Sequence, residues 1–156
     1  MKIRGARLFE LPAISRQVVR AAGDDYGFYP NDVQRIIAER NGLRPLFAAW
    51  RHPNRRILVS VDKYGIIQGQ LIGTYNADDV AIVHWLYVAP EGRKCGLARK
   101  LLRQFESEVR IWGVKKMMLW TEIAPGYYQK IGWIQEAKLP NHWWGQDFYV
   151  FSKYLK

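Results

Sequence analysis

Between Arg93 and Lys100 the chain reads RKCGLARK, four cations set around a single glycine. An apolar, strand-like run, Val80–Val88, leads into it through the break Ala89-Pro90-Glu91-Gly92. An amphipathic helical pattern follows. That order aims backbone N–H groups at an anion. The first N–H groups of a helix lack intrahelical partners, and the helix dipole adds about half a positive charge at that end. Gly96 carries no Cβ to hold a ligand away from the main chain. Arg93, Lys94, Arg99 and Lys100 supply positive charge around it. The turn reads as a cradle for a diphosphate.

The elements that hold this turn are legible on both sides. Val80–Val88 reads as the central strand. Gly96 to about Trp112 reads as a long helix, with Leu97, Leu101, Leu102, Phe105, Val109 and Trp112 on its apolar stripe. Upstream, Ile3–Phe9 reads as a first strand. Pro12 opens a helix with Ile14, Val18 and Val19 on one face, ended by Ala21-Ala22-Gly23. The loop Gly23–Pro30 sets Tyr26, Phe28 and Tyr29 beside Asp24 and Asp25. Asn31 caps a second helix through Arg40. Leu43–Arg56 reads as irregular and basic. Arg56–Val61 and Gly65–Tyr75 form two strands, and Gly69 and Gly73 weaken the second unless something packs closely against it. Asn76–Asp79 is a turn. Lys115–Thr121 is apolar enough for a strand buried on both faces. Ala124–Ile131 is a short helix. Trp133–Lys138 and Asp147–Lys153 close the chain around the loop Leu139–Gly145. With no repeat or linker, residues 1–156 read as a single α/β domain.

Composition narrows the class. At 156 residues and 49% hydrophobic content, the chain suits one domain with a real core and not a disordered segment. No apolar run reaches the ~18 residues of a membrane helix, so no membrane partner is expected. MKIRGARLFE lacks an apolar h-region, which predicts no signal peptide. Cys95 is the only cysteine, so no intrachain disulfide forms, and a cytoplasmic protein is expected. His52, His84 and His142 are scattered, so no metal site is expected. The net charge of +10 favours anionic partners, whether nucleic acid or a polyanionic cofactor. The basic residues are spread along the chain, which disfavours nucleic acid.

Arg93-x-x-Gly96-x-Ala98, directly after a strand ending at Val88, resembles the coenzyme A pyrophosphate loop of the GCN5-related N-acetyltransferases (GNAT). The segment Ala124-Pro-Gly-Tyr-Tyr128-Gln-Lys-Ile-Gly132-Trp133 is similar to a second motif of that family. The two occur in the family's order and in matching elements. The resemblance implies a mixed, mostly antiparallel sheet of about six to seven strands with a splayed parallel pair and about four helices. It covers Ile57 to the C-terminus well, and the N-terminal third in outline. Lys94 and Cys95 depart from the family pattern, where Gly and then Lys or Gln are common.

The resemblance also implies a chemistry: direct attack of a primary amine on the thioester of acetyl-CoA, without a metal. The cofactor positions are Leu86, Tyr87 and Val88 for the pantetheine arm, with Thr121 where the family often has Asn. Arg93, Lys94, Cys95, Gly96, Leu97 and Ala98 receive the diphosphate. Cys95 lies at the phosphates and away from the thioester, so it is not assigned catalysis. Tyr128 matches the acid that protonates the departing thiolate. His84 resembles the base of arylalkylamine N-acetyltransferases; Glu122 and water are its rivals. Asp25, Tyr26, Phe28 and Tyr29 face Trp143 and Trp144 over the acceptor groove, with Asp24 and Asp25 able to hold a cationic amine. The expected acceptor is a small aromatic or apolar amine, or a peptide amine. The rival reading is a basic module that binds RNA or another polyanion on an inactive acetyltransferase scaffold. A homodimer is left open.

Overall fold

The computed structural model describes residues 1–75 and 78–156. The turn expected at Asn76–Asp79 thus lies partly outside the described residues. The strands are β1 (Lys2–Gly5), β2 (Arg55–Val61), β3 (Ile67–Tyr75), β4 (Val80–Val88), β5 (Lys116–Thr121), β6 (Ile134–Leu139) and β7 (Phe148–Tyr154). They form a 7-stranded sheet in the order β1-β2-β3-β4-β5-β7-β6. All neighbours are antiparallel except β4 and β5, which run parallel. The helices are α1 (Leu11–Asp24), α2 (Asn31–Arg40), α3 (Leu43–Arg51), α4 (Leu97–Ile111) and α5 (Pro125–Lys130).

The sheet carries a core on each face. Leu11, Ile14 and Val18 of α1, with Val33 and Ile37 of α2 and Leu46 of α3, pack with Val59, Ile72 and Trp85. On the opposite face, Leu101, Phe105 and Val109 of α4 pack with Leu71, Val83, Met117 and Phe151. The glycines of β3 explain how α4 sits so low. A Cβ on Gly73 would lie 2.4 Å from Phe105 Cζ, and one on Gly69 would lie 3.2 Å from Leu101 Cδ1. The close packing that those glycines call for is therefore supplied by α4, and it sets the height of the helix N-terminus above the sheet.

Two expectations are corrected. The first strand stops at Gly5 instead of reaching Phe9, and Leu8–Glu10 is a 3-10 turn. The cause is Glu10, which is buried. It accepts two hydrogen bonds from the Arg4 guanidinium at 2.7 and 2.8 Å and one from the Arg7 N–H at 2.7 Å, pulling the chain out of the sheet. The segment expected to be irregular from Leu43 contains α3. Pro45 falls in its first turn, where the missing N–H leaves no bond unmade, and Leu46 and Ala49 face the core.

The site follows from one irregularity. β4 pairs with β5 only from Val80/Lys116 to Val83/Leu119, although both strands continue. On its other side, β4 shifts register against β3: Gly73 faces Val83, while Ile72 faces Trp85. His84 is the extra residue of this bulge. A bulge bends a strand and increases its twist, and here it turns β4 away from β5.

Candidate active site

The gap between the diverging strands is a cleft of about 320 Å³. It runs from Arg93 and Ala98 at one end, past Leu86, Tyr87 and Val88, to His84, Glu122 and Tyr128. A second cleft, of about 230 Å³, joins it at His84, Trp85, Trp120 and Glu122 and is walled by Trp143, Trp144 and Phe148. The sheet thus presents two chambers that meet at the bulge.

At the outer end, the turn before α4 is built for an anion. Lys94 and Gly96 both have positive φ, at 62° and 69°. Among the described residues, the N–H groups from Lys94 to Arg99 donate to no main-chain or side-chain oxygen. Such a run of N–H groups, wound through left-handed residues into a helix, is an anion-binding concavity. A Cβ on Gly96 would meet nothing within 4 Å, so that side of the turn is open. The residues fit a diphosphate. Cys95 is exposed and does not line the cleft that holds His84.

Arg93 turns inward. Its guanidinium donates to both oxygens of Asp25, at 2.9 and 2.6 Å, and its Nε donates to the Val88 carbonyl at 3.0 Å. Two expectations change accordingly. Asp25 is matched by Arg93 and not left to hold a cationic amine, and the Val88 carbonyl already has a donor. Thr121 differs as well: its hydroxyl donates to the Ile123 carbonyl at 2.7 Å and accepts from the Ile123 N–H at 3.1 Å, closing a local turn.

At the inner end, Tyr128 packs its ring on Phe151 and Trp133, at 5.4 and 6.1 Å between centroids. Burial, then Tyr127 and Glu122, raise its pKa, so the phenol stays protonated. Among the described residues its hydroxyl has no protein partner, yet it is not sealed in, unlike that of Tyr127. His84 bonds through Nε2 to Thr74 Oγ1. The His84 ring is exposed to the cleft, and the partial desolvation it meets there, then the charge of Arg55, lowers its pKa, which favours the neutral imidazole at pH 7. Glu122 accepts a hydrogen bond from the Tyr29 hydroxyl at 3.0 Å, and burial raises its pKa.

The two loops read as facing each other do meet. Tyr29 stands edge-on to Trp144 at 5.5 Å, and Tyr26 stacks on Trp85 at 5.8 Å. Phe28 is exposed, leans on Tyr29 and does not line the clefts. Trp85, Trp120, Arg40 and Asn41 line the site and escaped the sequence reading. β5 is not buried on both faces as its apolar run suggests: Trp120 is exposed to the cleft while Leu119 is buried, and nothing in that run, or local to Arg40, marks either as a site residue.

A sequence model described as "Acetyltransferase (GNAT) family" matches residues 21–133. No curated protein matches the chain in sequence. Among solved structures, the PaiA N-acetyltransferase of Thermoplasma acidophilum in complex with coenzyme A superposes at a TM-score of 0.84, with 16% identity over 99% of this chain and 98% of that one. The ribosomal-protein-S18-alanine N-acetyltransferase of Escherichia coli gives 0.76, with 15% identity over 99% and 94%. An aminoglycoside 6'-N-acetyltransferase complexed with coenzyme A gives 0.73, with 18% identity over 99% and 97%. The chain belongs to the GNAT acetyltransferase family. Its class is accordingly acetyl-CoA-dependent N-acetyltransferase. No helix of the described residues is long and apolar enough to cross a membrane, and no group of three or more His, Cys, Asp or Glu among them could hold a metal ion.

Proposed function

We propose that this enzyme acetylates a primary amine with a flat, largely apolar body, by direct attack on the thioester. The observation that carries the reading is the junction of the two clefts. Tyr128, His84 and Glu122 line the arm that begins at the phosphate turn, and His84 and Glu122 also line the aromatic chamber beside it.

Acetyl-CoA supplies an activated carbonyl with a thiolate leaving group. The N–H groups of residues 94–99 receive its diphosphate, and the main chain around Leu86 and Tyr87 lines its arm. Glu122, a carboxylate held in an aromatic wall, draws the ammonium of the acceptor inward. His84 takes the proton that the nitrogen must lose: its neutral form is favoured at pH 7, and Thr74 steadies its ring. As the new C–N bond forms and the C–S bond breaks, Tyr128 gives its proton to the departing sulfur. The aromatic chamber, with Tyr26, Trp120, Trp143 and Trp144, takes the body of the acceptor. The test is an acceptor screen that follows release of free coenzyme A. Aromatic and apolar primary amines should turn over. Release no faster than with water alone across amines and peptide N-termini would overturn the proposal.

A further inference from the structure

The aromatic chamber contains two residues of opposite full charge, and they are not paired. Glu122 lies where it meets the cofactor arm. Arg40, in the last turn of α2, lines it alongside Asn41, Trp143 and Trp144. Among the described residues no carboxylate lies within 4 Å of the Arg40 guanidinium, whereas Arg35 on the same helix pairs with Glu39. Nor is Arg40 one of the groups that shift Glu122. The guanidinium is held over the Trp144 ring, 5.8 Å from its centroid, so it belongs to the chamber wall. The Asn41 side-chain N–H donates to the Ile37 carbonyl at 3.0 Å, and among the described residues its oxygen has no donor.

A guanidinium on an aromatic face contributes to packing, and a cation suits a helix C-terminus. Neither role requires it to line a binding chamber. Arg40 and the rims of Trp120, Trp143 and Trp144 are exposed, so the chamber opens to solvent and its charges are partly screened; an unmatched guanidinium on its wall still attracts an anion and repels a second cation. We propose that the acceptor carries, several bonds from its amine, an anionic group, most simply a carboxylate, and that Arg40 receives it. Glu122 and Arg40 then match the two ends of one zwitterion across a flat body. Amines with a second positive charge, such as polyamines, would bring that charge to Arg40 and are selected against. The inference rests on the acceptor reading above.

Three probes share one ring and differ only in the para substituent: para-aminomethylbenzoate, benzylamine and para-xylylenediamine. Wild type should rank them carboxylate, hydrogen, ammonium in kcat/KM, with about tenfold or more between the first and the last, mainly through KM. Arg40→Gln should bring the carboxylate-to-hydrogen ratio close to one, and Arg40→Glu should favour the diamine. Equal kcat/KM for all three, or a loss in Arg40→Gln shared alike by all three, would overturn the proposal; the latter is what a merely structural Arg40 predicts. Calorimetric titration of para-aminomethylbenzoate in the presence of coenzyme A reads the same preference without turnover. If no amine is acetylated, the acceptor reading fails, and tighter binding to wild type than to Arg40→Gln still supports the anion site. Equal binding to both overturns it.

Discussion

Tyr29 donates its phenolic hydrogen to Glu122 Oε1 at 3.0 Å, joining residues 93 positions apart in the chain. This bond ties the loop after α1 to the end of β5, where the two chambers meet. It also gives a partly buried carboxylate the only side-chain partner it has among the described residues.

Glu122→Gln should separate stability from activity. The folded pKa of Glu122 is raised, so its contribution to stability is full below the unfolded value and is lost as pH rises through the folded one. At pH 7 the buried charge therefore opposes folding. The amide keeps the bond from Tyr29 without that charge, so Tm should rise at pH 7, and by less near pH 4. Turnover should drop, chiefly through KM for the amine. Thermal scans at both pH values, beside steady-state kinetics, check both halves.

Tyr128→Phe keeps the ring against Phe151 and Trp133 and removes one hydroxyl. Stability should change little. The maximal rate should fall by about 10²–10⁴-fold, with coenzyme affinity unchanged. A kcat within about twofold of wild type, with acetyl transfer shown to be rate-limiting, would show that the thiolate takes its proton elsewhere.

His84 places the acid limb of the pH profile. Its pKa lies below the ordinary histidine value, so kcat/KM should hold as pH falls through neutrality and decline only below about pH 6.5. In His84→Gln the rate should be lower throughout, and that decline should disappear. A limb that survives in His84→Gln and vanishes in Glu122→Gln would give the base role to Glu122.

Gly96→Val attacks the phosphate turn. At φ 69° a β-branched residue is strained, by about 1–2 kcal/mol, although its Cβ meets no other atom in the fold. Folding should survive, while coenzyme A affinity drops at least about tenfold in calorimetry. Wild-type affinity in this variant would move the diphosphate elsewhere.

Gly73→Ala tests the packing beneath the site. The added methyl would lie 2.4 Å from Phe105 Cζ, and overpacking of this kind costs about 1–3 kcal/mol. Denaturant unfolding should show that loss. Gly73→Ala combined with Phe105→Leu should recover part of it, because the smaller side chain makes room.

Short-range patterns are legible in the sequence alone. The phosphate turn is a run of six residues whose function depends on main-chain N–H groups and one glycine, so its sequence announces it. The stripe on α4 and the order of the strands are equally local, because they are periodicities of 3.6 and 2. Helix α3 is hidden in the sequence because its proline and two arginines read as a loop, and only the packing of Leu46 and Ala49 against the core reveals it. The chambers themselves depend on longer-range terms. The splay arises from one bulge at His84, set by how β3 registers against β4. Asp25 meets Arg93 across 68 residues, and the sign of a lone aspartate could not reveal that its charge was already matched. Arg40 from α2 and Glu122 from just beyond β5 come to one chamber by packing, and no spacing in the chain relates them. Their pairing with partners, or lack of it, is decided by tertiary contacts because electrostatic matching depends on distance in space and not on distance along the chain.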